Sequence, residues 1–277
     1  MSILSSAILT TALLFSTAVA TPSGPNTGAS EYKTTIDTAS PCLVTVKFVL
    51  KFQGPQGTRD FEREITATMI DKSGLVLCSG VQLGTSKLFR RMGTATPTDM
   101  KVLIGDDTVG IDAELLATDG ELDLAWIRVK DAKTLPQDVK FIDFSKPTTA
   151  VLGDRVLSVN RMDKFFDRAP IVTEGRIAGT TKKPREMLVP GAGIDLEPGM
   201  PVFAANGLVI GVAVFQSPDA EDMEGARGSN ATLILPSEQL TKATTRALAA
   251  AAEEAEEEDD GLVSPTADKK DDSADDE

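Results

Sequence analysis

The sequence contains no histidine at all. Histidine is the usual general base near neutral pH and the commonest metal ligand. Its absence excludes a Ser-His-Asp or Cys-His constellation assembled within this chain. Cysteine is scarce as well, with only Cys42 and Cys78, so zinc and redox-metal sites are poor expectations and no cofactor is expected. Basic clusters are missing too, which argues against a nucleic-acid partner. Beyond the first twenty residues, no apolar run is long enough to cross a bilayer.

What is present is a chain of 277 residues, 41% of them hydrophobic, enough for one compact domain with tails or for two small ones. The formal charge of −14 is unevenly placed. Residues 251–277 hold 13 Asp and Glu against 2 Lys, which leaves the remaining 250 residues at −3. The acidity belongs to a tail, read as solvating and disordered, and the body is close to neutral.

The opening MSILSSAILTTALLFSTAVA has an apolar stretch from Ala7 to Phe15 and ends in Ala18-Val19-Ala20. That small-x-small ending marks residues 1–20 as a cleavable signal peptide. It predicts a secreted or periplasmic protein without membrane attachment after cleavage. Residues 21–41, rich in Gly, Pro, Ser and Thr, read as a flexible leader.

From Val44 the pattern has period two. Val44, Val46, Phe48, Leu50 and Phe52 fall on one face, opposite Thr45, Lys47 and Lys51. Short β-rich runs then recur between turn signals such as Asp71-Lys72-Ser73-Gly74 and Asn206-Gly207. About a dozen such runs predict an all-β barrel or sandwich. One helix is expected after Pro236, with Ser237 as its N-cap and Leu240 and Leu248 facing the strands. Its Glu run past Ala252 sits at the negative end of the helix dipole, so residues 249–277 are expected to be a fraying end and a disordered tail.

Several stretches in order resemble the protease domain of the HtrA/Deg family of trypsin-like serine proteases. They are ITATMIDKSGLVLCS, MKVLIGDDTVGIDAELLATDGELDLAWIRVK, GDRVLSVNRMDKFFDRAPIVTEGRIAG, MPVFAANGLVIGVAVF and LILPS. The resemblance covers roughly residues 42–248. It implies two six-stranded antiparallel β-barrels with the catalytic residues between them, followed here by the C-terminal helix and acidic tail. The PDZ domain usual in that family has no counterpart after Leu248.

Carried over residue by residue, the family's acid falls on Asp123 in ELDLAW, its histidine on Val81 and its serine on Pro198 in LEPGMP. Glu197 stands in place of the asparagine before the nucleophile, and no serine lies between Ser158 and Ser217. Proline has no N–H, so Pro198 also removes a donor from the backbone site that would stabilise an oxyanion. Asp123 by itself reads equally as a structural carboxylate at a strand end. The resemblance therefore implies the fold without the hydrolytic chemistry, in a homologue that binds an unfolded or peptide-like client or joins homologous protease subunits as a homo-oligomer or regulatory partner, a trimer being the family's common assembly. The alternative is a hydrolase with an unconventional nucleophile, for which Cys78 or Ser79 beside a perturbed lysine such as Lys72 or Lys87 is the candidate.

Cys42 and Cys78 leave two readings open. They are one disulfide, contributing about 3–4 kcal/mol by the chain-entropy estimate, or two separate thiols. LFRRM (88–92) and SPDAEDMEGARGS (217–229) read as surface loops.

Overall fold

The computed structural model describes residues 27–55, 57–86, 93–146, 148–217 and 230–260. The signal segment 1–20, the tail from 261 onward, the 88–92 stretch and residues 218–229 of the acidic loop lie outside the described residues.

Twelve strands form two closed antiparallel barrels. The first holds β1 (Leu43–Gly54), β2 (Gly57–Asp71), β3 (Leu75–Ser79), β4 (Thr94–Leu103), β5 (Ile111–Asp119) and β6 (Leu124–Val129). They are joined in the order β1-β2-β3-β6-β5-β4, with β4 returning to β1. The second holds β7 (Arg155–Arg161), β8 (Pro170–Thr181), β9 (Met187–Pro190), β10 (Pro201–Ala204), β11 (Val209–Gln216) and β12 (Ala231–Pro236), with the same order of connection. Two six-stranded barrels are what the resemblance implied.

The period-two run of β1 does what its pattern predicts. Val44, Val46, Phe48 and Leu50 fill the first barrel's interior together with Ala67, Met69, Val76, Cys78 and Val102. The turn after β2 uses its glycine as expected: Gly74 takes φ +88° and donates to the Asp71 carbonyl, a conformation that residues with a Cβ rarely adopt. In β3 all five residues are buried. Val76 and Cys78 face the interior, while Leu75 and Leu77 enter a second core with Trp126, Phe203, Val212 and Leu240. That second core cements one barrel to the other, so β3 reads as a continuous apolar run instead of an alternating one. Each buried Leu- or Phe-sized side chain there contributes about 1.5–3 kcal/mol. Trp126, 1% exposed, settles its one polar atom by donating Nε1–H to Thr244 Oγ1 at 3.1 Å.

Three expectations need correction. Residues 27–39 of the supposed flexible leader form helix α1 (Thr27–Ala39). Arg155 pairs with Glu31 of this helix at 2.5 Å and with Glu174 of β8 at 2.9 Å, and Tyr32 donates to Glu174. Composition favoured a leader; contacts with the second barrel order the segment. The C-terminal helix expected after Pro236 is present as α3 (Ser237–Asp260), but two of its details differ. Leu240 packs in the core, but Leu248 is exposed. Eight residues at about 100° each leave Leu248 about 80° from Leu240, and Ala243 and Ala247 take that face instead. Ser237 does not cap: its Oγ is buried with no hydrogen-bond partner among the described residues.

Finally, Cys42 and Cys78 are both free and buried. Cys42 sits in the core between the barrels, and Cys78 sits inside the first barrel. Side chains committed to different cores form no disulfide, so the two-thiol reading holds.

Candidate functional site

Strand β3 ends at Ser79 and turns directly into a one-turn helix, α2 (Gly80–Leu83). Ser79 caps it, accepting the Val81 N–H at 3.2 Å, and Gly84 closes it in the left-handed conformation. Val81, at the family's histidine position, is thus the second residue of this turn. Facing it is Asp123, at the start of β6, with φ +56° and 4% exposure.

The Asp123 carboxylate is fully engaged. Oδ2 accepts the Ser79 hydroxyl at 2.5 Å, and Oδ1 accepts the Val81 backbone N–H at 2.7 Å. The Phe215 backbone N–H of β11 also donates to it. Its own carbonyl accepts the Gly80 N–H at 3.0 Å. Burial pushes the carboxyl up to about 6, against the opposing pull of the hydrogen bonds from Ser79, Val81 and Phe215. The sequence offered a structural and a catalytic reading of Asp123. In this geometry it ties β3, α2 and β11 to the start of β6.

Pro198 lies on the other side of the junction, in the connection between β9 and β10. Glu197 C=O accepts the Met200 N–H at 3.2 Å, with Pro198 next and Gly199 at φ +91°. Proline followed by a positive-φ glycine is the signature of a type II turn. The turn presses against the first barrel: a Cβ on Gly199 would lie 2.8 Å from the Ser79 nitrogen and 3.2 Å from the Cys78 backbone. Thr68 Oγ1 donates to the Gly199 carbonyl at 3.2 Å across the same contact. The positions of Val81, Asp123 and Pro198 therefore converge, with Ser79 between Asp123 and the Pro198-Gly199 turn.

Sequence reasoning missed the residues that span this junction. The Glu197 carboxylate accepts from Gln82 Nε2 of α2 at 2.7 Å and from Asn160 Nδ2 of β7. Asn160 is held in turn by accepting the Arg161 N–H at 2.7 Å. In the sequence Glu197 is marked only as the substitute for an asparagine. Nothing in the local pattern around Gln82 or Asn160 marks either as its partner, since they are 115 and 37 residues away.

The candidate nucleophiles are badly placed. Cys78 is 0% exposed, its Sγ pointing to the Ala125 carbonyl at 3.8 Å. Burial, with the Asp123 charge adding to it, pushes the thiol far above its ordinary range. Ser79 is also 0% exposed. Lys72 is exposed at the β2–β3 turn, and Lys87 lies outside the described residues. Among the described residues, no three acidic or cysteine side chains are gathered to hold a metal ion.

The family model of the trypsin-like peptidase domain matches residues 68–212, a span that begins in β2, ends in β11 and contains all three positions. No curated protein matches the chain.

Proposed function

The chain belongs to the trypsin-like peptidase family, and we propose that it is an exported, non-catalytic member of HtrA/Deg type that binds extended protein segments. The observation carrying this is the occupancy of Asp123. Its oxygens are taken by the Ser79 hydroxyl and the backbone N–H groups of Val81 and Phe215, at the place where the family's acid would orient an imidazole. The Pro198 turn and the Glu197 bonds to Gln82 and Asn160 occupy the nucleophile side. The small-x-small end of residues 1–20 supports export.

A binding role has a suitable edge beside the junction. Strand β11 pairs with β12 through Gln216, but its pairing with β10 stops at Val212. Beyond Val212 this edge has no strand partner from β10, and an extended peptide adds there, the usual way a sheet captures one, by displacing the Gln216 Nε2 bond to the Phe215 carbonyl. One observation favours a second reading, assembly with homologous subunits. Phe165 and Phe166, between β7 and β8, are 87% and 49% exposed and stack edge to face with centroids 5.0 Å apart. Paired exposed aromatics are typical of subunit contacts.

The test is incubation of the purified chain with unfolded casein, a fluorophosphonate probe and a thiol-reactive probe. Retention of casein without cleavage or labelling is expected. Cleavage that disappears in Asp123→Asn or Cys78→Ala would overturn the non-catalytic reading. Sizing the same sample separates a monomer from a trimer.

A further inference from the structure

Outside the junction, the helix α3 borders an open groove of about 580 Å³, lined by Leu122, Arg185, Gln239, Lys242, Thr245 and Arg246. Its cations come from two places distant in sequence. Lys242 and Arg246 lie one turn apart on α3, and Arg185 lies in the connection between β8 and β9, which also exposes Lys182 and Lys183. The lining itself holds three cations and no carboxylate; Glu186 and Glu238 flank it, Glu238 pairing with Lys242 at 2.7 Å, and Arg246 also borders Asp119 and Glu254 in the adjoining cavity. Arg185 and Arg246 have no ion-pair partner among the described residues, and the Arg185 Nε is buried without a hydrogen bond. A groove lined by three cations and no carboxylate, on a body that is slightly negative, is suited to an acidic occupant.

We infer that the occupant is this chain's own segment 261–277, whose carboxylates at 271–277 pair with the groove cations. That segment carries six acidic residues against two lysines and leaves α3 at Asp260. The reach is sufficient. From Arg246 to Asp260 the helix rises about 21 Å at 1.5 Å per residue. The ten residues 261–270 span up to about 33 Å when extended, so Asp271 and the residues after it can lie back along α3 at the level of Arg246. Once the tail comes within a Debye length of the groove, about 8 Å at physiological salt, the cations hold it there. The tail thereby shields a cationic surface that would otherwise take up acidic partners.

The test is zero-length carbodiimide crosslinking of the full chain, an equal mixture of isotopically light and heavy protein, followed by peptide mass spectrometry. Crosslinks from the carboxylates at 271–277 are expected at Lys182, Lys183 and Lys242, within light–light and heavy–heavy pairs. Their yield should fall about tenfold in 1 M salt and several-fold in Arg246→Glu, a change on an exposed helix face that leaves the fold intact. Crosslinks spread equally over Lys51, Lys130 and Lys146, or none from the tail, would overturn the proposal. Mixed light–heavy pairs would also overturn it, assigning the groove to another copy's tail.

Discussion

The two barrels share one strand order, yet each brings a different kind of carboxylate to the junction between them. On the first barrel's side, Asp123 is buried and held mainly from within its own barrel, by the Ser79 hydroxyl and the Val81 N–H, with Phe215 added from across the junction. On the second barrel's side, Glu197 is half-buried and bonds to Gln82 and Asn160, one from each barrel. A buried carboxylate that loses its role leaves donors stranded in a dry interior. A half-buried one leaves donors that water can satisfy. The difference teaches that similar hydrogen-bond counts carry different weight, according to what replaces each bond when it is lost.

The largest effect should come from Asp123→Ala. It strands the Val81 and Phe215 N–H groups and places alanine at a φ of +56°. A loss of about 3–5 kcal/mol is expected in urea unfolding. A loss under about 1 kcal/mol would erase the contrast with Glu197.

The charge of Asp123 makes a second, pH-dependent prediction. Its native value of about 6 lies above the ordinary 3.8. Between roughly pH 4 and 6 the folded chain therefore keeps a proton that the unfolded chain has released, and stability falls as pH rises through this window. The fall attributable to Asp123 is at most about 3 kcal/mol. Subtracting the pH profile of Asp123→Asn from that of the wild type should isolate it, and superimposable profiles would contradict the assignment.

Next in size is Gly199→Ala, which adds a Cβ against the Ser79 nitrogen at a φ of +91°. About 2 kcal/mol of stability should be lost, because backbone rather than a movable side chain blocks the way. Smallest is Glu197→Ala, at about 0.5–1.5 kcal/mol by the same unfolding assay. If that loss equals the one at Asp123, the junction rather than the first barrel holds the site together.

The legible parts of this protein were those with local periodicity. The strand at Val44–Leu50 showed its interior face, and Asp71–Gly74 and Asn206-Gly207 showed their turns. Asp123, Val81 and Pro198 could be located through motif order, and they do converge in the structure. What could not be read was any feature resting on distant partners. Helix α1 looked like a leader because Arg155 and Glu174, which hold it, lie more than a hundred residues away. The exposure of Leu248 and the lack of a cap at Ser237 are likewise properties of how α3 sits on the barrels.

Composition and alternation are properties of residues alone, and from them follow the lack of histidine-based chemistry, the dominance of strands and the acidity concentrated past residue 250. Folding alone keeps Cys42 and Cys78 apart, buries Asp123 with its carboxylate hydrogen-bonded, and sets Glu197 across the two barrels. It also gathers Arg185, Lys242 and Arg246 around one groove. The physical reason is that burial and hydrogen-bond partnership, which set the charge state and strength of each group, exist only once strands far apart in the chain have closed into barrels.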